Sequence, residues 1–125
     1  MAHDIISDCL NQIMNAKNSG KSHLEVRRYS KFLMEILDIA QKHKYIEYSF
    51  DEKEKVLKIA IKELIQCKTI KPRFNVKQDE VDKYVRRFLP ARGFGVLLIS
   101  TSHGLMIQEK ALEENLGGSL IAYFY

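Results

Sequence analysis

The chain has 125 residues, 46% hydrophobic and 29% charged, with a net charge of +4 and two cysteines. This is the balance of an ordinary soluble globular protein, large enough to bury a core without staples. No apolar run approaches the ~20 residues a membrane span needs, the opening "MAHDIISDCLNQ" lacks the basic region of a targeting signal, and Cys9 and Cys67 are too few and too far apart for a disulfide scaffold, so a reducing cytoplasm is expected.

Residues 5–16 read as an amphipathic helix, with Ile5, Ile6, Cys9, Leu10, Ile13 and Ala16 at helical spacing. Asp4 is placed to cap it and Asn18 to Gly20 to stop it. "HLEVR" alternates as a short strand, with Leu24 and Val26 on one side. Ser30 can cap a second helix whose stripe is Leu33, Ile36, Leu37 and Ala40, with Lys42, His43 and Lys44 in its last turn. "YIEYSF", "DEKEK" and "VLKIAI" then form a hairpin, with Ile46, Tyr48 and Phe50 on one face of the first strand and Leu57, Ile59 and Ile61 inward on the second.

The second half is less regular. Pro72 argues for extended or edge chain. Residues 79–89 return to helical spacing and end at Pro90. "GVLLIS" is a continuous apolar run, expected to be a strand covered on both faces. It halts at Ser100, Thr101, Ser102, His103 and Gly104, a hydroxyl-rich corner before "LMI". A short helix over 108–115 follows, and "LGGS" turns the chain into a terminal strand "LIAYFY". The fold class is therefore α/β (α+β) in two small subdomains. Residues 1–63 form a helix–strand–helix–hairpin unit. Residues 64–125 form a mostly β unit with short helices.

Charge is uneven along the chain. Lys68 to Arg92 holds eight Lys/Arg against three Asp/Glu, a net of +5, while the rest of the C-terminus is net −2. Such a zone is either a solvated face or an electrostatic footprint for phosphates. Arg73 and Arg92 lie in "KPRF" and "LPARGFG", where they can reach phosphates while Phe74 and Phe94 pack inward. The four histidines show no ligand spacing, and no metal or nucleotide motif is present, so no cofactor, metal or catalytic residue is expected. Cys9 sits on a core face as an inert thiol. The hydroxyl corner reads as turn chemistry or as donors and acceptors aimed at a base edge or a 2′-OH. Gly117-Gly118 reads as a source of positive φ or as room for close backbone approach.

In their order along the chain, "IKPRFNV", "FLPARGFGVLLISTSHGLM" and "LGGSLIAYFY" resemble the archaeal and eukaryotic branch of the small-subunit ribosomal protein S-eight family, as do "DIISDCLNQIMNAKNSGK" and "YSKFLMEIL". The resemblance implies a non-enzymatic constituent of the small ribosomal subunit that binds the central domain of its rRNA and supports assembly. On that basis Ser100, Thr101 and Ser102 would read base and sugar, and Gly117 and Gly118 would lie close to the same groove. Asp4, Asn11 and Asn15 would approach the RNA backbone. The expected partners are small-subunit rRNA and neighbouring ribosomal proteins, with the chain a cytoplasmic monomer within the ribosome and away from membranes. The rival readings are a stand-alone RNA-binding translational regulator and a small α/β enzyme using Cys67 or His103. Where this family often carries a third glycine before the pair, the chain has Asn115.

Overall fold

The computed structural model describes residues 5–71, 75–91 and 93–125. The chain divides into two compact units, Met1–Gln66 and Cys67–Tyr125.

Unit 1 begins with α1 (Ile5–Asn18), β1 (His23–Val26) and α2 (Lys31–Lys42), followed by the hairpin β2 (Ile46–Asp51) and β3 (Val56–Ile61). The three strands form an antiparallel sheet in the order β1-β3-β2. Its register places Tyr48 opposite Ile59 and Phe50 opposite Leu57 on one face. On the other face lie the polar rows Glu25–Lys58–Ser49 and His23–Ala60–Glu47. This two-residue alternation is what the sequence pattern requires of a half-buried sheet. α1 lies along β1 and α2 along β2. The helices bury Cys9, Leu10, Ile13, Leu33, Ile36 and Leu37 completely. Burial pushes the Cys9 thiol up to about 12, so at neutral pH it is a small hydrophobe, as expected. Ser30 caps α2 by accepting from the Leu33 N–H at 3.1 Å. α2 is tied to β2 through Tyr48, whose hydroxyl donates to Asp38 and whose backbone N–H donates to Gln41 Oε1.

Unit 2 carries β4 (Cys67–Thr69), β5 (Asn75–Val76), a 3-10 turn (Gln78–Glu80), α3 (Val81–Phe88), β6 (Val96–Thr101), β7 (Gly104–Ile107), α4 (Gln108–Glu113) and β8 (Gly118–Phe124). β8 is central. β6 pairs with one side of it and carries β7 beyond; β4 and β5 lie one after the other along its opposite side. β6 is buried on both faces from Val96 to Ile99, as its apolar run predicts. A register shift between Leu98 and Ile99 leaves Ile121 as an extra residue on β8. This bulge lets Leu120 and Tyr123, three apart, face the same core, which includes Leu97, Ile99, Val81, Val85 and Met106.

Gln108 replaces a missing stretch of strand. β7 ends at Ile107, so the first residues of β6 have no partner strand on that side. The buried Gln108 amide accepts from the Leu97 N–H at 2.8 Å and donates to the Gly95 carbonyl at 3.2 Å. It thus continues the ladder past the end of β7 and satisfies backbone groups that would otherwise be buried unpaired.

Three helices end by the same device. A residue with left-handed φ follows the helix, and the next N–H reaches back five residues. Gly20 (φ +80) precedes Lys21 N–H to Ala16 O at 2.8 Å; Lys44 (φ +66) precedes Tyr45 N–H to Ala40 O at 3.0 Å; Asn115 (φ +56) precedes Leu116 N–H to Ala111 O at 2.9 Å. Glycine and asparagine suit that conformation; lysine does so with strain. Among the described residues no helix is long and apolar enough to cross a membrane.

Candidate nucleic-acid interface

The hydroxyl corner is a tight antiparallel hairpin. Thr101 pairs with Gly104 across β6 and β7, leaving Ser102 and His103 as the two loop residues. Gly104 takes φ +106, which only glycine adopts readily. The three hydroxyls have separate surroundings. Thr101 donates to the Gly104 carbonyl at 2.8 Å and accepts from the His103 N–H at 3.1 Å, so its hydroxyl closes the turn. Ser102 stands exposed at the tip. Ser100 is half-buried and pairs with Ser119 on β8.

Neither Gly117 nor Gly118 has positive φ; both are where they are because of space. A Cβ on Gly118 would lie 2.1 Å from the Ser100 carbonyl oxygen and 3.1 Å from Thr101 Cα. A Cβ on Gly117 would lie 2.3 Å from the Val76 carbonyl oxygen and 2.9 Å from Gln78 N. The pair is therefore wedged between β6 on one side and the β5 connection on the other. Gly118 and Ser119 also belong to β8 itself, rather than to the turn that "LGGS" suggests. The close backbone approach expected of the pair is met first within the chain's own sheet.

β5 brings in a residue that sequence spacing does not single out. Asn75 pairs with Ser119, and Val76 with Gly118. The Ser119 hydroxyl donates to Asn75 Oδ1 at 2.6 Å. Directly opposed residues share a face of a sheet, so Asn75, Ser119 and Ser100 form one polar row across β5, β8 and β6. No local motif could have found it, because Asn75 and Ser119 are 44 residues apart.

The basic zone is mostly surface. Lys68, Lys71, Lys77, Lys83, Arg86 and Arg87 are all exposed. Arg86 reaches Asp82 at 3.9 Å one turn away, a weak exposed pair. Arg87 lies over the Phe88 ring at 5.5 Å and Lys83 over Tyr84 at 5.9 Å. Those rings belong to a row in which Phe88 stacks on Tyr84 and Tyr123, and Tyr123 on Tyr125. Phe94, expected to pack inward, is 47% exposed and meets Tyr125 at 6.4 Å. The positive φ of Gly93 and Gly95, on either side of it, and the Phe94 N–H to Ala91 O bond turn its side chain out. Arg73, Arg92 and Asp4 lie outside the described residues, as does Phe74. On α1, Asn11 and Asn15 are exposed one turn apart, away from the buried Cys9–Ile13 stripe.

Among the described residues no group of three or more His, Cys, Asp or Glu is placed to hold a metal ion. Cys67, a rival candidate nucleophile, is 3% exposed inside β4. His103 stands exposed in the hairpin turn.

Residues 4–125 match the family model described as Ribosomal protein S8. The chain is 36% identical to small ribosomal subunit protein uS8A of Schizosaccharomyces pombe over 125 residues, covering 97% of this chain and 96% of that protein. It is equally similar, with the same coverage, to small ribosomal subunit protein uS8 of Eremothecium gossypii and of Kluyveromyces marxianus. With a mixed helix and antiparallel-sheet fold and a family match over residues 4–125, the chain belongs to the ribosomal protein S8 family.

Proposed function

We propose that this protein is a structural, non-enzymatic constituent of the small ribosomal subunit that binds the central domain of small-subunit rRNA through unit 2. Family membership supports the ribosomal assignment. The observation that carries the RNA reading is the exposed Ser102 at the tip of a hairpin whose turn is closed by Thr101. A hydroxyl at that tip can donate to or accept from a base edge or ribose, and the glycine-thin strand beside it brings no bulky side chain to hold a shallow groove away. Ser100, Thr101, Gly117 and Gly118 complete this surface. In the proposal Thr101 and the glycines act through backbone and shape. Arg73 and Arg92 supply phosphate contacts, and Asp4, Asn11 and Asn15 approach the RNA chain from α1. Residues 1–63 and 64–125 divide the work, the first touching backbone and the second reading bases while its Arg73 and Arg92 hold phosphates. Neighbouring ribosomal proteins and a monomeric state in the cytoplasmic ribosome complete the assignment.

The test is filter binding of the full chain to a central-domain rRNA fragment across a salt series. Ser102→Ala should weaken binding by about 1–3 kcal/mol and leave the salt slope unchanged, because a neutral contact displaces few ions. Arg73→Gln with Arg92→Gln should flatten the plot of log affinity against log salt by roughly one unit, or slightly less, per lost contact. If Ser102→Ala binds like the parent, the corner is a turn and nothing more.

A further inference from the structure

We infer that Asn75 is a further RNA-contacting residue, held for that task by Ser119. The inference rests on the rRNA-binding reading above and adds to it a pair drawn from two distant parts of the chain.

The geometry sets the chemistry. The Ser119–Asn75 bond is 2.6 Å, the span of an O–H···O bond and short for one donated by an amide nitrogen. The Ser119 hydroxyl therefore faces the Asn75 amide oxygen, and the amide NH2 points the other way. Asn75 is exposed. Its two N–H donors are thus offered on the surface in a fixed orientation, beside Ser119 and Ser100 in the same cross-strand row. A free asparagine side chain would rotate and present oxygen and nitrogen alternately. Here the serine selects one state, which removes an ordering penalty on binding.

Such a donor pair suits a hydrogen-bond acceptor, and RNA offers ribose oxygens and the acceptor edges of bases in its shallow groove. The row lies on the β6–β8–β5 surface beside the Ser102 hairpin, so one RNA segment lying along it would meet both. Asn75 would touch the RNA, while Ser119 acts through Asn75 as a positioning residue.

A double-mutant cycle on the full chain separates these roles, with the central-domain rRNA fragment as probe. Asn75→Ala should bind about tenfold more weakly, as for loss of one good donor contact. Ser119→Ala should lose a smaller factor, about three- to fivefold. The double variant should be no weaker than Asn75→Ala alone, since Ser119 has nothing left to orient. Ser119→Thr, which keeps the hydroxyl and suits a strand, should bind within about twofold of the parent. RNA-free melting temperatures should stay close to the parent's, because the pair is at the surface. If Asn75→Ala binds like the parent while Ser102→Ala does not, the pair is structural and the inference fails alone. Affinity losses that follow losses in melting temperature would overturn it too. A double variant showing the product of the two losses would refute the positioning role. If the parent itself does not bind the fragment, the RNA-binding reading fails and this one with it.

Discussion

Gly20 in unit 1 and Gly118 in unit 2 are needed for opposite reasons. Gly20 in unit 1 has φ +80 and open space around its missing Cβ. Gly118 in unit 2 has ordinary φ, but its missing Cβ would lie 2.1 Å from a backbone oxygen. The first position is governed by the local torsion at a helix end; the second by the separation of two strands. Unit 1 is joined by side chains: Ser30 on Leu33, Tyr48 on Asp38, and Lys58 on Asp51 at 3.3 Å. Unit 2 has side-chain bonds as well, at Thr101, Gln108 and Ser119, and adds to them backbones brought very close at Gly117 and Gly118. Ser102 and Asn75 stand exposed in unit 2, where they are available to a partner.

The most damaging substitution is expected at Gly118. Gly118→Ala should destabilise the RNA-free protein by about 3 kcal/mol, and Gly118→Val by more, because the obstacle is backbone that cannot rotate away. Urea unfolding measures it. A Gly118→Ala protein that unfolds with the parent would show that β8 can shift off Ser100 freely. It also follows that weakened rRNA binding by a Gly118 variant is no evidence for an RNA contact unless the folded fraction is measured.

Next comes Gln108. Gln108→Leu keeps the volume but leaves the Leu97 N–H buried without an acceptor, so a loss of about 1–3 kcal/mol is expected. Hydrogen exchange at Leu97 should accelerate more than at Ile99, which lies within the run paired by both neighbouring strands.

In unit 1 the expected changes are near 1 kcal/mol and have opposite signs. Gly20→Ala forces a Cβ into left-handed backbone and should cost about 1 kcal/mol, although nothing obstructs it. Lys44→Gly relieves the same strain at the end of α2 and should gain up to about 1 kcal/mol, less the extra entropy of the unfolded glycine. Equal losses at Gly20 and Gly118 would erase the distinction between torsion and space.

The smallest effect is electrostatic. The Glu54 backbone N–H, then Lys58 and the Lys53 N–H, hold the Asp51 carboxyl below its ordinary value of 3.8. A depressed carboxyl in the folded state stabilises the hairpin above that ordinary value. The contribution is lost as pH falls through the folded one. Asp51→Asn should therefore lower stability slightly at neutral pH and leave the difference from the parent absent in acid, as an acid titration of melting temperature would show.

The elements whose pattern is local could be read directly from the residues. The stripes of α1 and α2, the alternation of β2 and β3, the Ser30 cap and the doubly buried β6 all follow from periodicity and capping over a few residues. The hydroxyl corner was legible too, as were the glycine pair and the family resemblance they carried. How those pieces are used depends on the folded arrangement. It assigned Thr101 to closing the turn and left Ser102 exposed. It made strand of Gly118 and Ser119, turned Phe94 outward, and gave Gln108 the place of a strand. It also set Asn75 against Ser119. Each of these depends on which strands become neighbours and in what register. Register is settled by burial and chain closure across dozens of residues, so no short window of sequence contains it.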